Sequence, residues 1–307
     1  MQTEIVQYKG WKQCLHMSNG IIDLLVTLDV GPRIIRLGFV GKENEFCEFP
    51  EVGQVGGSEW RSYGGHRLWH APEVMPRTYY PDNTQVKYEV HQTFIRFISD
   101  PEIENSVQKE MDVELLDGKT QVRVNHRIRN IGLWPVELAP WALSVMATEG
   151  VAIVPLPPRA PHAGNFVPLN RIALWPVTDM SDARYVWGKR FVLFKQSPKN
   201  VGPQKVGFSV PDGWAAYARK GHLFLKQAGY LPGAPYTDLG CNVELYNQED
   251  MAELETLGPL STIPTGEFIE HLELWTLLDH IPQPENEADV EMNVLPVILP
   301  IVSQKIG

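Results

Sequence analysis

The densest chemistry in the chain falls in one short run, Gly64-Gly65-His66-Arg67-Leu68-Trp69-His70-Ala71-Pro72-Glu73. It holds two imidazoles, a guanidinium, an indole and a carboxylate. Imidazole donates or accepts a proton near neutral pH, and guanidinium offers a planar fork to hydroxyls or a carboxylate. The indole offers a flat apolar face to a sugar ring. The glycine pair permits a positive φ or a close backbone approach. The alternative is a structured aromatic loop whose His and Arg satisfy backbone carbonyls. His66, His70 and Glu73 would share a face of a helix and could then hold a metal. Pro72 and the glycines oppose a long helix. In a strand, His66 and His70 share one face and Glu73 takes the other, so the expectation is no metal and no cofactor.

A second set of candidates lies near the C-terminus. Glu253 and Glu255 share a face if residues 251–257 form a strand, and Leu254 takes the other. Glu270 and Glu273 fall on opposite faces of the next strand, with His271 and Trp275 beside Glu273. Alternating acids are commonly just a solvated sheet face. Other chemistries lack their motifs: there is no G-x-G-x-x-G after a strand, no Walker A run and no G-x-S-x-G elbow. Cys14, Cys47 and Cys241 stand far apart without CxxC spacing. They fit reduced thiols in a cytoplasmic protein better than a disulfide framework.

The elements that must position these groups read as strands. Residues 20–40 are two short β-branched runs separated by Gly31-Pro32, which stops a helix. Val122, Val124, His126 and Ile128 alternate with Arg123, Asn125, Arg127 and Arg129, the period of a half-buried strand. Asp117-Gly118 marks a hairpin before it. Residues 133–156 read as a strand pair joined near Glu149-Gly150, and residues 205–230 as three short strands. Residues 41–83, which include the His/Arg/Trp run, read as loop. The apolar tail 295–302 carries two prolines that argue against a regular helix. The expected fold is all-β, two large antiparallel sheets packed face to face. No linker divides the strands, so residues 1–307 read as one domain with the tail 280–307 packing on it.

The formal charge is −10 and the pI is about 5.4. Nucleic acid and anionic membrane surfaces both need a basic field, so neither is an expected partner. No apolar run approaches the ~18 residues of a transmembrane helix, and the N-terminus has no basic-then-apolar signal. Oligomeric state is left open.

Three segments carry a family resemblance. LDVGPRIIRLGFVGKEN, NHRIRNIGLWPVELAPWALSVM and ELETLGPLSTIPTGEFIEHLELWTLL occur in that order across residues ~20–278. Together they resemble the galactose mutarotase-like (aldose 1-epimerase-like) superfamily, and GGHRLWHAPE points to a branch other than the true epimerases. The resemblance implies an antiparallel β-supersandwich with a sugar cleft, acid–base catalysis at the anomeric centre and no cofactor. It places the base at Glu255, an early arginine at Arg33 and a histidine at His66. The usual acid histidine is replaced here by Trp141, and indole cannot serve as that acid. Either His66 or His70 takes the role, or the protein binds sugars without isomerising them.

The leading expectation is therefore an isomerase acting on a small sugar or sugar derivative. Glu255, His66 and His70 would be its catalytic groups. Arg67, Arg33, Trp69, Trp141 and Glu73 would hold the substrate. The alternatives are a non-catalytic carbohydrate-binding protein, or a lyase or hydrolase using the same cleft.

Overall fold

The computed structural model describes residues 1–304; residues 305–307, the end of the expected tail, lie outside the described residues. The chain forms two large antiparallel sheets. The larger sheet begins β1 (Gln2–Tyr8), β2 (Trp11–Ser18), β3 (Ile22–Thr27), β4 (Ile34–Phe39), β5 (His66–Ala71), in neighbour order. It continues β10 (Val136–Met146), β19 (Met251–Leu257), β18 (Val243–Gln248), β15 (Gln204–Phe208), β12 (Ile172–Leu174). β20 (Ser261–Ile263) pairs with the start of β10. The smaller sheet runs β13 (Tyr185–Trp187), β14 (Phe191–Lys195), β11 (Val151–Pro155), β16 (Trp214–Arg219), β17 (His222–Ala228). It ends β21 (Phe268–Leu278), β9 (Gln121–Asn130), β8 (Val107–Leu115), β7 (Ile95–Ile98), β6 (Lys87–Val90). No helix among the described residues is long and apolar enough to cross a membrane.

Alternation builds the sandwich. On β9, Val122, Val124, His126 and Ile128 are buried while Arg123 is exposed and Asn125 and Arg127 are half-buried. Their inward side meets the inner face of the larger sheet, and the two faces share one core that includes Leu24, Met111, Phe224, Leu245 and Leu254. β8 and β9 form the hairpin marked by Asp117-Gly118. β3 and β4 pair across the Gly31-Pro32 turn.

Three expectations are corrected. The His/Arg/Trp run is not loop. Residues His66–Ala71 are a fully buried strand, β5, in the middle of the larger sheet. Its burial on both faces removes the in/out alternation by which a half-buried strand is recognised. Second, the segments flanking Glu149-Gly150 do not pair. β10 belongs to the larger sheet and β11 to the smaller, so this turn carries the chain from one layer to the other.

Third, the tail does form a helix, Leu295–Val302, preceded by a π-helical turn at Val290–Val294. Pro296 sits in the first turn, where the fixed φ of proline already suits a helix. Pro300 costs one internal hydrogen bond. Packing offsets that loss. Val290, Val294 and Ile298 are fully buried against Val151, Ile153, Leu193 and Leu225 on the outer face of the smaller sheet. Each such side chain contributes roughly 1.5–3 kcal/mol.

Candidate functional site

The register decides which candidates meet. Residues directly opposite in paired strands share a face. Arg67 lies opposite Leu143, Leu143 opposite Glu255, Glu255 opposite Glu244, and Glu244 opposite Gly207. A single row thus crosses five strands on the outer face of the larger sheet. The next row holds Trp69, Trp141 and Leu257. The row on the other side holds Val145, Glu253, Tyr246 and Lys205.

Gly65 makes the entry to β5 possible. Its φ is +68°, and a Cβ there would lie 2.5 Å from the Ile34 carbonyl oxygen. Gly207 serves the opposite end of the row. A Cβ on it would come within 3.0 Å of the Trp175 ring, so glycine lets Trp175 lie across the sheet. The Lys205 ammonium then sits 4.7 Å from the ring centroids of both Trp141 and Trp175. Arg67 is held likewise, 4.4 Å from the Trp69 centroid and 5.7 Å from that of Trp60. Trp60 and Tyr79, from the chain between β4 and β6, pack on Trp69 at 5.5 and 4.9 Å and roof this end of the face.

Glu255 is completely buried. Its Oε2 accepts a 2.7 Å hydrogen bond from the Trp141 indole N–H and lies 3.6 Å from Lys205 Nζ. Burial pushes its carboxyl up to about 7, and Lys205 and the indole bond oppose that rise. Glu244, also buried, binds Lys205 at 2.8 Å. Burial raises its carboxyl well above the ordinary range. Burial also works against the charge on Lys205, but these two carboxylates outweigh it and hold the ammonium above its ordinary range. Arg67 Nη2 donates to Glu253 at 3.2 Å.

Five buried polar atoms on this face have no hydrogen-bond partner among the described residues: Arg67 Nε and Nη1, Trp60 Nε1, Glu244 Oε1 and Glu255 Oε1. Each such group costs ~1–3 kcal/mol when left unpaired, more when charged.

A cavity of about 430 Å³ reaches this region from the side, with Arg67, Leu68, Trp69, Asp82 and Lys109 among its walls and Glu255 not. It follows the edge of β5, which β4 pairs only at Ile34–His66. The Val145 amide donates to the Gly65 carbonyl. By alternation, the amide and carbonyl of Leu68 point away from β10, toward that open edge.

Two of the expected catalytic residues fall on the wrong side. His66 and His70 alternate with Arg67 and Trp69, so they point between the sheets. His66 Nδ1 pairs with Ser144 Oγ and its Nε2 with His126 Nε2, both at 2.9 Å. Glu273 Oε2 lies 3.5 and 3.6 Å from those two Nε2 atoms. Lys226 Nζ binds Glu273 Oε1 at 2.9 Å and the Ala142 and Leu254 carbonyls. Burial holds His66 well below its ordinary range and His70 down to about 2. Neither can hand a proton to a sugar standing over Glu255, with the sheet between them.

His66, His70 and Glu73 do not come together as a metal set either. Glu73 is exposed and accepts a hydrogen bond from the Tyr79 hydroxyl. The three donors that do converge, among the described residues, are His66, His126 and Glu273. Beside them Lys226 balances the one carboxylate, and burial holds both imidazoles below their ordinary range.

Arg33 is also spent. Its guanidinium makes two 3.0 Å bonds to Asp82 and donates to the Ser62 and Arg61 carbonyls. It clamps the chain that carries Trp60 and Tyr79, with four of its five N–H donors taken up inside the chain and no exposed surface. Trp69 and Trp141 lie on the same outer face as Glu255, packed into it and only 7% and 3% exposed. Sequence reasoning missed Glu244, Lys205, Trp175, Trp60 and Tyr79. The only signal for Glu244 was its position in CNVELYNQ opposite Glu255, which needs the register of two strands.

No family model matches the chain, and no curated protein is similar to it in sequence. Solved structures do match. The Slr1438 protein of Synechocystis sp. PCC 6803 superposes with a TM-score of 0.59 at 10% identity, over 90% of this chain and 99% of that one. A galactose mutarotase-like protein from Lactobacillus casei ATCC 334 gives 0.58 at 11% identity, over 86% and 100%. One from Clostridium acetobutylicum gives 0.53 at 12%, over 91% and 98%. The sandwich is the galactose mutarotase-like fold, as the three sequence segments implied.

Proposed function

We propose that this chain, having the galactose mutarotase-like fold, binds a sugar or sugar derivative on the outer face of its larger sheet and isomerises it at the anomeric centre. The observation that carries the reading is the set of unpartnered buried atoms. Arg67 and Trp60 offer donors, and Glu244 and Glu255 offer acceptors. A polyol answers both, because each hydroxyl donates and accepts. The surrounding indoles supply apolar faces for the ring's C–H surface.

Glu255 is the base in this reading. Its carboxyl is poised near neutrality, the range where a group can both take and return a proton. It removes the proton of the anomeric hydroxyl as the ring C–O bond opens. The C1–C2 bond rotates and closure returns the proton on the other face. One observation favours a second reading, a non-catalytic sugar-binding protein: the Trp141 indole already occupies Glu255 Oε2. Base catalysis must then run through Oε1.

Anomeric-exchange NMR over a panel of free sugars, wild type against Glu255→Gln, separates the two. Acceleration by wild type that falls about 100-fold or more in the variant is the expected result. Sugar binding without any acceleration would leave the binding reading in its place.

A further inference from the structure

Mutarotation needs an acid as well as a base, and both histidines lie behind the sheet. We infer that Glu244 is that acid, a second catalytic carboxyl working beside Glu255; this rests on the isomerase reading above.

The geometry is specific. Glu244 and Glu255 are direct partners in the β18–β19 ladder, so their side chains leave the same face from neighbouring strands. Both are buried, at 1% and 0% exposure. Each has one carboxyl oxygen, Oε1, with no partner among the described residues. Both other oxygens, Oε2, converge on Lys205, at 2.8 and 3.6 Å. The pair therefore holds two oxygens without an internal partner on one face of neighbouring strands, with one ammonium against both other oxygens.

Charge counting says that this pair holds one proton. Among the described residues Lys205 is the one cation in contact with them, and Arg67 is taken up by Glu253. Lys205 balances one carboxylate. A second would be an uncompensated buried charge, which a buried site avoids by keeping a proton. The groups facing the pair do not alter this count. Glu253, Asp238 and Glu73 are acidic and raise the cost of a second negative charge, whereas Lys205 lowers it. The Trp141 N–H donates to Glu255 at 2.7 Å and the Lys205 ammonium lies 2.8 Å from Glu244, so the ionised form has a donor at either carboxyl. The one proton is therefore shared and the two carboxyls titrate as a unit, the form with the proton on Glu244 being the one that opens the ring.

This is the arrangement that mutarotation requires. Glu255 takes the proton of the anomeric hydroxyl while the O1 electron pair forms the C1=O1 bond. The C1–O5 bond breaks, its electron pair goes to O5, and O5 takes the proton of Glu244. The pair ends with Glu255 protonated and Glu244 ionised, its total charge unchanged. After rotation about C1–C2, Glu244 takes the O5 proton back, O5 attacks C1, and Glu255 returns its proton to O1. No other reactant enters, and a buried pair of constant charge needs no solvent reorganisation between the two halves.

The test is the pH profile of anomeric exchange in wild type, Glu244→Gln, Glu244→Asp and Glu255→Gln. Near-UV circular dichroism checks that each variant is folded. Wild type should lose rate on the acid side as Glu255 is protonated and on the alkaline side as Glu244 ionises. Glu244→Gln should be at least ~100-fold slower and lose the alkaline limb, with Glu244→Asp recovering part of both. Sugar affinity, read by NMR line broadening, should change by less than about tenfold in Glu244→Gln, because the amide still offers hydrogen bonds to a hydroxyl. A folded Glu244→Gln with wild-type rate and an intact alkaline limb would overturn the role of Glu244 and leave the isomerase reading standing. A wild type that accelerates no sugar in the panel would overturn the isomerase reading, and this inference with it.

Discussion

Lys226 ties the two sheets together, and its removal can be costed. It springs from β17 of the smaller sheet, with no exposed surface. Its ammonium reaches the larger sheet and binds the Ala142 and Leu254 carbonyls at 3.0 and 3.1 Å. It also binds Ser144 Oγ at 3.2 Å and the Glu273 carboxylate at 2.9 Å. Lys226→Met keeps most of the volume of the side chain but leaves Glu273 buried without its cation. Breaking one side of a buried ion pair costs ~3–5 kcal/mol. At ~2.1 cal/mol/K per residue, the unfolding entropy of 307 residues is about 0.64 kcal/mol/K. The expected fall in Tm is then ~5–8 °C. The double variant Lys226→Met/Glu273→Gln removes both charges. Trp275 Nε1, which donates to Glu273 Oε2 at 3.0 Å, keeps an acceptor there in the new carboxamide oxygen. The double variant should therefore cost clearly less than the sum of its parts, with a coupling energy of about 2 kcal/mol or more in urea unfolding. A cost below ~1 kcal/mol for Lys226→Met alone, or strict additivity in the double variant, would refute the claim that this is a coupled buried ion pair, formed within the smaller sheet by a cation that also reaches the larger one.

Two further outcomes follow from the placements above. His70 is buried neutral, with its imidazole held down to about 2 by burial. The unfolded chain binds its proton below ~6.5 and the folded chain does not, so this contribution to stability is present above pH ~6.5 and is lost as pH falls toward 2. His70→Leu should flatten the loss of stability measured by urea unfolding between pH ~6.5 and ~5, by up to ~1.4 kcal/mol per pH unit; an unchanged slope would count against a neutral buried imidazole. Arg33→Met should lower stability by ~2–4 kcal/mol, because it breaks the paired bonds to Asp82 and frees two carbonyls. Arg33→Lys should recover little of that, since an ammonium cannot reproduce the planar fork. A variant with unaltered unfolding and selectively lost sugar binding would make Arg33 a substrate ligand after all.

What the sequence determined by itself is what depends on neighbours along the chain. The alternation on 122–128, the Asp117-Gly118 hairpin and the Gly31-Pro32 break each report local backbone geometry, and the sheets carry them as read. The separation of Glu255 from Leu254, and of His66 and His70 from Arg67 and Trp69, is likewise a matter of period two. Tertiary structure decided which of those faces look at each other. That Glu255 stands beside Glu244 and Lys205, and not beside a histidine, depends on the order β5-β10-β19-β18-β15 and on the register of four ladders. A shift of one residue in any ladder would turn a whole row to the other side. The tail shows the same division: its prolines argue locally against a helix, and only the apolar outer face of the smaller sheet supplies the burial that makes one stable.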